Sequence, residues 1–124
     1  KIMFTHVMVG VSDLEASKVF YDAVLGTLGY GPGARNKDRY FYMSPSGVFA
    51  ITVPINGEPP TSANGSTLGF AASSPEQADA FHAAGLASGG TACEDPPGLR
   101  ESGAYLAYLR DPDGHKICAM KPPG

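Results

Sequence analysis

Three histidines (His6, His82, His115), two cysteines (Cys93, Cys118) and one Asp111-Pro112-Asp113-Gly114 segment hold most of the chemistry this chain can offer. His6 sits in an opening strand-like run, either satisfied by a neighbouring polar group or free to touch a ligand. His82 lies in a helical stretch and reads as half exposed, and His115 reads as structural. Cys118 could serve as a nucleophile if its pKa were lowered, but the sequence places no helix start or evident cation beside it, and a small buried thiol is the simpler reading. The two carboxylates of the DPDG segment invite an acid–base or metal reading. The spacing favours a turn, since Asp opens and Gly closes such turns and no third ligand is near. Gly31-Pro32-Gly33 follows a helix rather than a strand and lacks the Gly-Lys-Ser/Thr ending of a phosphate loop. Arg100 is the fixed cation of the long segment Thr91 to Gly103, either solvated or able to grip a carboxylate or phosphate through paired donors. Tyr105, with Tyr40, Tyr42, Phe49 and Tyr108, supplies aromatic surface for a core or an apolar pocket.

The elements that position these residues come from a duplication. Sliding the chain by 61 residues superimposes Ser12, Glu15, Phe20, Ala23, Leu25 and Gly29 on Ser73, Glu76, Phe81, Ala84, Leu86 and Gly90. Each copy reads as a strand (Phe4 to Val11; Ser66 to Ala72), a capping box (Ser12-x-x-Glu15; Ser73-x-x-Glu76), an amphipathic helix and a closing glycine. A hairpin follows each helix: Arg39 to Met43 with Val48 to Val53, and Ala104 to Arg110 with Lys116 to Met120. The turns Ser44-Pro45-Ser46-Gly47 and Asp111-Pro112-Asp113-Gly114 correspond at an offset of 67. Asn56 to Gly65 has linker composition.

Composition supports one folded domain over residues 1–124, with 43% apolar and 17% charged residues and 27 glycines and prolines (16 and 11) among 124 positions. That turn-former load disfavours a helical bundle. A net charge of -3 leaves no basic footprint for nucleic acid. No apolar run approaches the roughly 20 residues of a membrane span, and the first residues lack a signal-peptide pattern, so the expectation is a soluble, cytoplasmic chain with free thiols.

The texts HVMVGVSDLEASKVFYDAVLGTLGY and YLAYLRDPDGHKICAM, set in this duplicated module, resemble the glyoxalase, bleomycin-resistance and extradiol dioxygenase (vicinal oxygen chelate) superfamily across nearly the whole chain. The resemblance implies an α+β fold of two tandem βαβββ modules, 1–57 and 66–122 around the linker 56–65, forming a cupped mixed sheet with one helix backing each half. It implies a homodimer, and a divalent metal held at the cup floor by four equivalent strand positions. Carried over, those positions are His6, Ile51, Thr67 and Cys118. Iron, manganese, nickel or zinc wants three or four imidazole and carboxylate donors. Ile51 has no donor, Thr67 is a poor one and Cys118 suits only soft metals, so no metal cofactor is expected, and one recruited through His6 is the alternative.

Strand alternation puts Val7, Val9, Leu68, Phe70, Ile117 and Ala119 against the helices, and Phe4, His6, Met8, Phe49, Ile51, Thr67 and Cys118 in the cup. The ligand-contacting set is therefore His6, Phe49, Ile51, Thr67, Arg100, Tyr105 and Cys118, with no catalytic residue assigned. The function expected is binding of a small organic molecule by a superfamily member with a degenerate metal site. The alternative is a metal-dependent lyase or isomerase like lactoylglutathione lyase, or a dioxygenase.

Overall fold

The structure, a computed structural model, describes every residue from Lys1 to Gly124. Its first half runs β1 (His6–Gly10), α1 (Leu14–Thr27), β2 (Ala34–Asn36), β3 (Arg39–Ser44) and β4 (Gly47–Thr52). The second runs β5 (Leu68–Ala71), α2 (Pro75–Ala87), β6 (Thr91–Ala92), β7 (Gly98–Leu99), β8 (Tyr105–Arg110) and β9 (Lys116–Lys121). Both halves are βαβββ units, the second carrying the extra strand β7 inside the segment Thr91 to Gly103. No helix or strand lies between Thr52 and Leu68.

Both helices start one residue later than the expected capping boxes. Asp13 caps α1, its carboxylate accepting from Ala16 N at 3.0 Å. Ser74 caps α2, accepting from Gln77 N at 3.1 Å, while Gln77 Oε1 accepts from Ser73 N at 2.7 Å. Asp13 and Ser74 are N-cap residues as good as their serine neighbours, and each places its side-chain oxygen over the first free amides. Beyond the helices, Gly29 (φ 96°) and Gly89 (φ 104°) take the left-handed conformation that stops them.

The strands form two sheets, ordered β1-β4-β3-β2 and β5-β9-β8-β6, with β7 also paired to β8. Each is mixed: β1 runs parallel to β4 and β5 parallel to β9, and the remaining pairs are antiparallel. No ladder joins the halves. They share instead one core cluster fed by both helices and by one face of each sheet. Its aromatic spine crosses the boundary, with ring centroids 4.9 Å apart for Phe20–Tyr21, 4.8 Å for Tyr21–Phe49, 5.3 Å for Phe49–Phe70 and 6.1 Å for Phe70–Phe81. Val9, Leu68, Phe70, Ile117 and Ala119 face this core as alternation requires.

Phe49 and Ile51 correct the expected cup lining. They pair with Val7 and Val9 and lie in the core, Ile51 fully buried. The slip comes from counting onward from the turn glycines. Gly47 is already in the ladder opposite Ser44, so only Pro45 and Ser46 turn the chain, whereas Arg110 pairs with Lys116 and everything from Asp111 to His115 lies in the loop. In the first half, Ala50 is therefore the counterpart of Cys118: Met8 pairs with Ala50 as Gly69 pairs with Cys118. A one-residue slip moves a side chain to the opposite face.

Candidate functional site

On the first sheet, the face turned away from the core carries His6, Met8 and Gly10 from β1, Val48, Ala50 and Thr52 from β4, and Arg39, Phe41 and Met43 from β3, set in rows by the ladder. His6 is exposed, its Nδ1 2.9 Å from Thr5 Oγ1. The matching face of the second sheet carries Gly69, Ala71, Leu106, Tyr108, Cys118 and Met120. Thr67, just before β5, is exposed. Of the seven residues expected to contact a ligand, His6 and Cys118 thus occupy outward faces, but on separate sheets.

Tyr105 and Arg100, also expected to touch a ligand, do structural work. Tyr105 packs against the core and its hydroxyl donates to Asp79 Oδ1 at 2.7 Å, tying β8 to α2. Arg100 closes its own loop, donating to the carbonyls of Gly98 at 3.0 Å and Asp95 at 3.3 Å. Burial pushes the Cys118 thiol up to about 11 against the opposing pull of Lys116, so the thiolate is scarce near neutrality. No three His, Cys, Asp or Glu side chains converge within the chain. His6, Thr67 and Cys118 of the carried-over set, with Ala50 taking the place of Ile51 once the ladder register is read, therefore do not fit a divalent metal: Ala50 offers no donor atom, Thr67 a neutral hydroxyl and Cys118 a protonated thiol.

Asp111 anchors one seam between the halves. Its Oδ2 accepts from Tyr21 OH of α1 at 2.6 Å, and its Oδ1 accepts from the amides of Asp113 and His115 at 2.9 Å each. Burial and the adjacent Asp111 carboxylate hold the Tyr21 hydroxyl well above its ordinary range, so it remains a donor. Nε2 of His115 donates to the Gly10 carbonyl at 2.6 Å, and the Asp113 carboxylate accepts from Ser12 N. The DPDG segment thus forms the turn expected from the sequence, and its carboxylates add a clasp that the sequence did not announce.

The opposite seam, between β5 and the β3–β4 turn, holds an apolar cavity of about 430 Å³ whose walls include Phe4, Val7, Tyr42, Phe49, Leu68 and Phe70. Sequence reasoning did not find it, because its walls come from both halves and no local pattern marks it. Arg39 and Phe41 were also missed as face residues, although the alternation in Arg39-Tyr40-Phe41-Tyr42-Met43 separates them from the buried tyrosines.

A family model described as the Glyoxalase/Bleomycin resistance protein/Dioxygenase superfamily matches residues 3–119. The crystal structure of a glyoxalase/bleomycin resistance protein from Albidiferax ferrireducens T118 is 71% identical, covering 96% of this chain and 98% of that one, with a TM-score of 0.94. A glyoxalase-related enzyme from Fulvimarina pelagi is 26% identical, covering 94% and 85% of the two chains, with a TM-score of 0.75. Lactoylglutathione lyase from Agrobacterium tumefaciens, 19% identical over 94% and 91% of the chains with a TM-score of 0.65, shares the fold. No curated protein matches the chain. No helix is long and apolar enough to cross a membrane.

Proposed function

This chain belongs to the glyoxalase/bleomycin-resistance protein/dioxygenase superfamily, and from that premise we propose that it binds a small organic molecule on the outward sheet faces without a divalent metal. One observation carries the reading: the four positions that would ligate metal hold His6, Ala50, Thr67 and Cys118, a set with one imidazole and no carboxylate. Without a glutamate there is neither an anionic ligand nor a base beside His6. The faces around His6 and Cys118 are mostly apolar with few polar points, which suits sequestration of an organic ligand.

Elemental analysis of the purified protein tests the reading. The expected result is far less than one equivalent of Fe, Mn, Ni, Co or Zn, and no turnover of a glutathione hemithioacetal with or without added metal. Stoichiometric metal lost on His6→Ala, or metal-dependent turnover, would favour a lyase or isomerase instead.

The unpaired outer edges of β1 and β5 support a homodimer, since open edges are ordinarily paired or covered. A monomer mass by light scattering at micromolar protein would count against it. The free thiols Cys93 and Cys118 support a reducing, cytoplasmic setting.

A further inference from the structure

We infer that the far end of the first sheet's outward face is an oxyanion subsite, built on Arg39 and taking the carboxylate of a ligand whose apolar body lies over Phe41. The inference rests on the proposed function in placing the ligand on this face.

The ladder register sets the order of chemistry along the face. Met8, Ala50 and Phe41 form one row across β1, β4 and β3, and Gly10, Thr52 and Arg39 form the next. Rows on one face stand two residues apart, about 7 Å at strand rise. An apolar row thus gives way within one small-molecule length to a cationic one. A cavity of about 420 Å³ opens there, lined by Phe41, Arg39, Thr52, Asn36 and Lys37 among others.

Arg39 is poised rather than merely exposed. Its Nε donates to Thr52 Oγ1 at 3.1 Å, which holds the guanidinium against the strand and leaves both terminal amino groups without a protein partner. Lys37 joins it from the β2–β3 turn. The ion pairs of the molecule are Lys18–Asp22, Arg35–Glu15 and Lys116–Glu94, and neither Arg39 nor Lys37 belongs to one. Asp38, the acid of the same turn, adds its field to Arg35 and leaves the lining one positive charge in excess. Within a chain of net charge -3, two unpaired cations flanking a concave surface form a local site for an anion. The fork of Arg39 suits a planar carboxylate, which it can hold through two parallel hydrogen bonds, and the Phe41 ring offers an apolar plane beside it.

Amide chemical-shift titration of the labelled protein with benzoate, and separately with inorganic phosphate, tests the subsite. Benzoate is expected to shift the amides of Arg39, Phe41 and Thr52 saturably. Arg39→Gln should weaken it at least about tenfold, since a charge-assisted bidentate contact is lost, and Arg39→Lys should weaken it less. Arg110→Gln, the same charge change on the other sheet, should leave it unaltered. Benzoate binding tighter than phosphate supports a carboxylate on an apolar body. Tighter phosphate binding, shifts that persist in Arg39→Gln, or no shift at millimolar benzoate overturns the inference. Metal content does not enter this readout, so the subsite and the metal-free reading can fail separately.

Discussion

The two seams between the halves are related by the internal repeat yet end in opposite states. Where the β8–β9 loop meets β1 and α1, residues Asp111 to His115 fill the gap with the buried Asp111 carboxylate bonded to Tyr21, the His115 imidazole bonded to Gly10 and the Asp113 carboxylate bonded to Ser12 N. Where the β3–β4 turn meets β5, the turn is only Pro45 and Ser46, and the cavity of about 430 Å³ remains. By repeat position Ser44 stands for Asp111, Ala71 for Gly10 and His82 for Tyr21. Loop length and one acid separate a clasp from a pocket on the same framework. A duplicated fold can therefore spend one seam on stability and leave the other open.

Asp111→Ala should produce the largest difference between the seams. It removes a charged acceptor from three donors and strands the buried Tyr21 hydroxyl, so a loss of about 3 kcal/mol or more is expected in urea unfolding. Ser44→Ala, its counterpart, gives up a hydrogen bond to the Gly47 carbonyl and an exposed one with Ser46 Oγ, and should cost about 1 kcal/mol or less. Equal losses would break the comparison.

A second pair of variants tests the register of β5, which walls the open seam. Leu68 packs against the core, so Leu68→Asp should destabilise by about 3 kcal/mol through burial of an unpaired charge. Thr67 is exposed, and Thr67→Trp should move stability by about 0.5 kcal/mol or less. If Thr67→Trp proves the costlier variant, β5 is turned over.

The smallest expected effect concerns His82, the repeat counterpart of Tyr21. Burial disfavours its charged form and holds its folded-state pKa below the ordinary 6.5. The unfolded chain therefore takes the proton first, and this contribution weakens the fold as pH falls through 6.5 toward the folded value. Unfolding midpoints measured between neutral and mildly acidic pH should decline, and His82→Gln should flatten part of that decline. A slope unchanged in His82→Gln would remove the contrast between a titrating helix residue at one repeat position and a clasped phenol at the other.

The repeat, both helices and the helix-facing strand residues were legible because periodicity writes them locally: Phe20 and Phe81 recur at one offset, and Leu68 and Phe70 alternate with small or polar neighbours. The outward face of β4 was not legible, since its parity depends on where Gly47 enters the ladder, and Pro-Ser and Asp-Pro-Asp-Gly-His turns of different length hide that. The helix starts slipped for a related reason. Two acceptable caps stand side by side in each half, and the choice follows from tertiary demand, with Ser12 N already given to Asp113. The role of Asp111 as a clasp depends on Tyr21, far away in sequence, and no local spacing announces such a pair.

Every strand ladder in this chain closes within its own half, and residues between Thr52 and Leu68 connect the two without regular structure. Backbone ordering in either half consequently demands no strand from the other, and loop closure across the connector can be deferred until two formed surfaces meet. The halves therefore meet through side chains, Phe49 on Phe70 and Tyr21 on Asp111, rather than through a strand ladder. A chain organised in this way can also trade halves with an identical neighbour, because the surfaces that meet are the same whether the connector is shared or not.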